Sequence, residues 1–146
     1  MPRFFTLQQA EKLLPEVEAA LRDAIVLKAE YEEAGKDWRN FSQRIHLLGG
    51  VLVDHTKLLD KKQQRESCAQ RLKESIEKIQ EFGCLVKDLD MGLIDFPTML
   101  NGVEVYLCWK LGEPGIQFWH GVEEGFRGRK SIDQSFLEDH RGELPN

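Results

Sequence analysis

Asp88, Asp95, Glu104, Glu113, His120 and Glu123, with Asp90 interchangeable with Asp88, are the side chains in this sequence whose types suit a divalent cation. Carboxylate oxygens neutralise a hard ion and one imidazole adds a borderline nitrogen, a set that fits Mg, Mn, Zn or non-haem Fe. If the stretch from His120 to Glu123 is helical, the two residues share a face, being three apart. The signal is compositional, because the sequence has no HExxH and acids scattered over a small sheet are ordinarily solvated. His120 also has a plainer reading. Flanked by Phe118 and Trp119, it fits an aromatic-cluster histidine whose ring nitrogens are satisfied by Tyr106 or a backbone carbonyl.

Two other constellations have some chemistry. Gly125-Phe126-Arg127-Gly128-Arg129-Lys130 could cradle an anion, with exposed glycine N–H groups and the forked donors of Arg127 and Arg129. It lacks the GK[ST] of a P-loop, and a solvated turn in which Arg129 pairs with one of the acids is the stronger reading. Cys108 invites a nucleophile reading with His120 as base, but no glycine elbow or oxyanion loop accompanies it, so a structural thiol is favoured. Trp109, Phe118, Trp119 and Phe126 read as core between sheet and helices rather than as a stacking platform. His46 and His55 read as surface or seam residues.

Charge placement agrees with a cation-facing second half. Residues 1–83 hold 14 Lys or Arg against 14 Asp or Glu, whereas residues 84–146 hold 6 against 11 and carry the whole net charge of −5. That argues against nucleic acid and for cations or basic partners. At 146 residues the chain can bury one modest core. No apolar run approaches the roughly 18 residues of a membrane span, and the N-terminus turns polar too soon for a signal peptide. Cys68, Cys84 and Cys108 show no CxxC spacing, which fits a reducing cytosol, so a cytoplasmic protein is expected.

The elements that must position these residues follow from periodicity. Thr6 with Gln9 reads as a capping box and Phe5 as a staple onto Ala10, so a first helix starts at Leu7. Leu7, Ala10, Leu14, Val17, Leu21, Ala24 and Tyr31 form its heptad-like seam, with Pro15 marking a kink or a lead-in turn. Its end is expected near Ala34-Gly35. A second helix, from about Asp37 to Gly83, carries Trp38, Phe41, Ile45, Leu48, Leu52, Leu59, Leu72, Ile76 and Ile79. It is too long to match the first, so either a break at Gly49-Gly50 or a partner chain must cover the overhang.

After Gly83 the period changes from 3.6 to 2. Residues 84–89 and 93–96 read as strands around an Asp90-Met91-Gly92 turn, and Asn101-Gly102 introduces a strand over 103–110. Val103, Val105, Leu107 and Trp109 should face a core and Glu104, Tyr106, Cys108 and Lys110 a polar side. Residues 112–115 form a loop, 116–122 stay unassigned, and 125–129 form a glycine-bounded turn.

Val86-Lys87-Asp88-Leu89-Asp90, Gly92 to Pro97, Leu107-Cys108-Trp109, Gly112-Glu113, Trp119-His120, Gly125-Phe126 and Gly128-Arg129 together resemble domain of unknown function 2203, an uncharacterised family of small bacterial proteins. The resemblance implies a bacterial origin and this architecture, and it brings no reaction and no catalytic residue. The expected fold is α+β: a long antiparallel helical hairpin over 1–83, a small antiparallel sheet of about three strands over 84–130, and a loop or disordered tail over 131–146, as one compact domain. The first functional expectation is a non-catalytic interaction or scaffold protein. It self-associates as a homodimer through coiled-coil-like helices and offers its acidic β-region to a protein partner, with no nucleic acid and no membrane. The alternative is a divalent-metal-dependent enzyme acting on a small, phosphorylated or similar molecule, with the carboxylates and His120 as ligands and Arg129 holding the anionic group.

Overall fold

The computed structural model describes residues 3–47 and 54–142. The element order is α1 (Leu7–Leu47), α2 (His55–Glu81), β1 (Leu85–Asp88), β2 (Leu93–Leu100), β3 (Val103–Lys110), β4 (Phe118–Gly121), β5 (Lys130–Ser131), α3 (Gln134–Asp139) and β6 (His140–Arg141), with a 3₁₀ turn at Phe126–Gly128. Two helices followed by an antiparallel sheet make the chain α+β. It divides into two compact units, Met1–Leu21 with Glu77–Asn146, and Arg22–Ile76.

The first helix starts where the capping box places it. Thr6 Oγ1 accepts from the Gln9 N–H at 3.1 Å and Gln9 Oε1 accepts from the Thr6 N–H at 2.9 Å. A third free N–H of this first turn, that of Leu7, donates to His140 Nε2 at 2.9 Å. The helix then runs through Pro15 and on past Gly35 to Leu47, so the reversal expected at Ala34-Gly35 does not occur. The reason is phase. Tyr31, Ala34, Trp38, Phe41 and Ile45 keep steps of three and four across Gly35, and one helical glycine, costing about 1 kcal/mol against alanine, does not outweigh a continuous apolar stripe. The Gly49-Gly50 break expected inside the second helix lies outside the described residues.

In the unit Arg22–Ile76 the two helices run antiparallel, since ascending positions on one meet descending positions on the other. Arg71 pairs with Glu30 at 2.9 Å, Arg65 stands over the Trp38 ring and Lys61 over the Phe41 ring. Ala24, Ala34 and Cys68 are buried in this unit. No helix among the described residues is long and apolar enough to cross a membrane.

The other unit holds the sheet, which among the described residues has six strands rather than about three, in the order β1-β2-β3-β4-β5 with β6 on the far end of β2. The excess comes from short strands after Lys110 that carry too few residues for alternation to show. Asn101 (φ 53°) and Gly102 (φ 80°) make the tight β2–β3 hairpin, both in the left-handed region that this turn demands. β2 and β3 are covered on both faces: Ile94, Phe96, Leu107 and Trp109 fill one side, where the Phe5 ring meets Phe96 edge-on at 5.3 Å, while Asp95 and Cys108 are buried on the other. The side of β3 expected to be polar is therefore largely enclosed. Beyond Ser131, where the sequence shows no periodicity, Asp133 caps α3 by accepting from the Phe136 N–H at 2.8 Å. Phe136 then packs against Trp119.

Candidate functional site

Pairing register assembles the site. Asp95 on β2 lies directly opposite Cys108 on β3, and His120 on β4 pairs with Tyr106, two residues further along. Side chains directly opposite or on the diagonal of an antiparallel sheet come within reach of each other on the same face. Three residues separated by a dozen or more positions thus meet on one patch. One ligand atom from each of Asp95, Cys108 and His120 lies within 4.8 Å of the others, and all three residues are buried.

The proton bookkeeping of His120 is tightly constrained. Its Nδ1 sits 2.8 Å from the Gly121 carbonyl oxygen, which can only accept, so Nδ1 carries a hydrogen and donates. Its Nε2 then faces Asp95 Oδ1 at 3.0 Å, and that contact holds one shared proton. The Gly121 carbonyl is itself fixed, because it also receives the Glu124 N–H at 3.0 Å in a turn closed by Gly121 N–H donating to Glu124 Oε1 at 2.9 Å. Lys130 completes this brace at 2.7 Å and holds the Glu124 carboxyl below its usual range.

Asp95 is 1% exposed and its Oδ2 has no hydrogen-bond partner. Burial pushes its carboxyl pKa up, against the opposing pull of His120, a weaker hydrogen-bonding one from the Cys108 thiol and that of the Lys87 charge. A buried carboxylate oxygen without a donor is costly, and such groups in a native fold call for a ligand, an ion or a mechanistic use. Burial and the neighbouring Asp95 push the Cys108 thiol up to about 12, despite Arg129 Nη1 at 3.9 Å from its sulfur. Arg129 is held by Glu113 through two bonds of 3.0 Å and lies between the rings of Phe118 and Phe126. Glu113 also accepts from the Lys110 N–H at 2.7 Å.

Above the three residues opens a pocket of about 120 Å³, lined by Lys87, Leu93, Asp95, Cys108, His120, Val122, Glu124, Gly125 and Phe126. Of the side chains singled out by sequence, Asp95 and His120 come together there. Asp88 instead accepts from the Met91 N–H at 3.0 Å in the β1–β2 turn. Glu104 sits opposite Met99, four residues along β3 from Cys108, which is roughly 13 Å by strand rise. Glu113 is committed to Arg129, while Glu123 and Arg127 are exposed. His120 and Glu123 do not share a helical face, because His120 lies in β4 and Glu123 in the following turn. Arg129 takes the acid-paired form of its two readings.

Cys108 is the member that its sequence pattern does not suggest as a ligand. Its neighbours in sequence hold no hint, and its relation to Asp95 is a fact of register alone. The nucleophile reading gains nothing from the geometry. Both His120 nitrogens are engaged elsewhere, and the thiol is far from the thiolate that attack requires.

Comparison with known proteins adds a family. A family model described as an uncharacterised conserved protein, DUF2203, matches residues 3–132, a span that includes Asp95, Cys108 and His120. No curated protein and no solved structure matches the chain.

Proposed function

The chain belongs to the DUF2203 family, whose description carries no reaction, and we propose from the geometry that it binds a divalent transition metal through Asp95, Cys108 and His120. The observation that supports this most is the orphaned Asp95 Oδ2, buried beside a thiol and an imidazole. The donor set of one thiolate, one imidazole nitrogen and one carboxylate oxygen suits zinc or a similar borderline ion better than Mg or Mn. Two ligand atoms on a tetrahedral ion with bonds of about 2.0–2.1 Å sit about 3.3 Å apart; Oδ1 and Nε2 are 3.0 Å apart, and the three ligand atoms lie within 4.8 Å of one another. The Nδ1–H donated to the Gly121 carbonyl is the outer contact that orients a metal-ligating histidine through its other nitrogen. An ion also resolves the protonation problem, replacing the shared Asp95–His120 proton and stabilising the thiolate that burial otherwise forbids.

Three protein ligands would leave room for a fourth, and all three line the pocket. That is the arrangement of a Lewis-acid centre rather than a closed structural site, so hydrolysis of a small substrate is the reaction class to screen. The test is Zn(II) and Co(II) titration of chelator-treated protein by calorimetry and visible absorption. Stoichiometric binding with a sulfur-to-cobalt charge-transfer band is expected. Cys108→Ser and His120→Ala should each weaken binding by about 100-fold or more, since losing a ligand exceeds the 10–100-fold cost of losing its outer partner. Asp88→Asn and Glu113→Gln should keep it. Absence of binding, or binding that survives both ligand substitutions, refutes the reading.

Self-association through the helices retains one observation in its favour. Val26 and Leu59 of the unit Arg22–Ile76 expose 58% and 54% of their surface. Sedimentation equilibrium should then give a dimer that Val26→Glu and Leu59→Glu together dissociate; a wild-type monomer rejects that reading.

A further inference from the structure

The charges around the pocket point past the ion to what would sit on it. A divalent ion with one carboxylate and one thiolate is formally neutral, so the remaining titratable side chains of the lining, Lys87 and Glu124, set the local sign. Glu124 is spent: it holds Lys130 at 2.7 Å and the Gly121 N–H at 2.9 Å. Arg129, behind Cys108, is neutralised by Glu113. Lys87 makes no direct ion pair among the described residues, its charge reaching the Asp95 carboxyl only from a distance. Its ammonium stands 4.8 Å from the centroid of the Tyr106 ring, which in turn packs edge-on against His120 at 5.6 Å. The ring holds the cation at the pocket without cancelling its charge.

We infer that this pocket takes a small oxyanion, a carboxylate or phosphate group, with one oxygen on the metal's open position and another on the Lys87 ammonium. The inference rests on the metal reading above. Size and lining agree with it. About 120 Å³ admits an acetate- or phosphate-sized group. Leu93, Val122 and Phe126 make the rest of the wall apolar, with Lys87 at its solvent-exposed side. The same lysine is exposed on β1, a short strand at the sheet margin, and its charge pulls on the Asp95 carboxyl against the effect of burial.

The experiment uses Co(II)-loaded full-length protein at fixed ionic strength, titrated with acetate, inorganic phosphate and neutral acetamide, with the cobalt absorption spectrum as the readout. Either anion should change the spectrum saturably, and acetamide should not. Lys87→Met should weaken the anion by about 10–100-fold, the worth of a charge-assisted contact, and Lys87→Arg should restore it. Metal affinity is read separately for each variant. A wild-type spectrum unmoved by both anions, or anion affinity unchanged in Lys87→Met, overturns the inference while leaving the metal site standing. Failure to load cobalt at all overturns the metal reading and this inference with it. Acetate and phosphate acting alike names the shared oxyanion chemistry, and a preference for one identifies the source.

Discussion

Asp95→Asn separates a residue kept for folding from one kept for a ligand. The wild-type carboxylate is buried, meets His120 Nε2 through Oδ1 at 3.0 Å and leaves Oδ2 without a donor. An asparagine in the same rotamer can turn its amide N–H toward Nε2, which is free to accept because Nδ1 holds its own hydrogen on the Gly121 carbonyl. The hydrogen bond survives and the buried charge disappears. An unpaired buried acceptor costs about 1–3 kcal/mol, more when charged, and the amide oxygen left in place keeps only the neutral share. The net expectation for metal-free protein at pH 7 is a gain of about 1 kcal/mol, or a Tm rise of roughly 2–4 °C for a chain this size. The assay is thermal unfolding in chelator, followed by circular dichroism, beside Co(II) titration of the same samples. Asp95→Asn should melt higher than wild type yet bind cobalt far more weakly. Asp95→Ala, which strands Nε2 and leaves a void, should be destabilised by roughly 2 kcal/mol and melt lower. An asparagine variant that melts clearly below wild type would show the carboxylate to be a net structural asset, and its orphaned oxygen would no longer point to a ligand.

The remaining expectations concern the frame around the site. Cys84, buried with its thiol donating to the Ile79 carbonyl at 3.4 Å, is pushed up by burial to about 11. Its folded value lies above the unfolded one, so its contribution is intact below about pH 8.5 and is lost as pH rises toward 11, at about 1.4 kcal/mol per unit. Urea denaturation from pH 7.5 to 10.5 should show this slope, and Cys84→Ala should show less of it; equal slopes reject the assignment. Glu113→Gln, which breaks the paired bonds to Arg129, should cost about 1–3 kcal/mol by chemical denaturation. At Gly102 nothing lies within 4 Å of an added Cβ, so Gly102→Ala should cost only the backbone penalty of about 1–2 kcal/mol. At Gly92 the Cβ would lie 2.6 Å from Leu111 Cβ, and the loss should be clearly larger, which a pair of melting curves will decide.

Features written in local spacing were legible in the sequence alone. The Thr6–Gln9 capping box, the Asn101-Gly102 hairpin and the strand over Val103–Lys110 are set within a few residues by hydrogen bonds and φ angles that neighbours dictate. The length of α1 was also present, in the unbroken phase of Tyr31, Ala34, Trp38, Phe41 and Ile45, but a single glycine drew the boundary to the wrong place. The site itself is different in kind. Asp95 and His120 could be proposed as ligands from their types, yet nothing local relates them to each other or to Cys108. Their meeting depends on which residues of β2, β3 and β4 lie opposite one another. A slip of one residue would send any of the three side chains to the other face. The burial that orphans Asp95 Oδ2 and raises the Cys108 thiol likewise belongs to the folded chain, not to the local sequence. Sequence chose the residue types; tertiary register and desolvation decided which of them form a site, because proximity and dielectric belong to the folded surface and not to the chain.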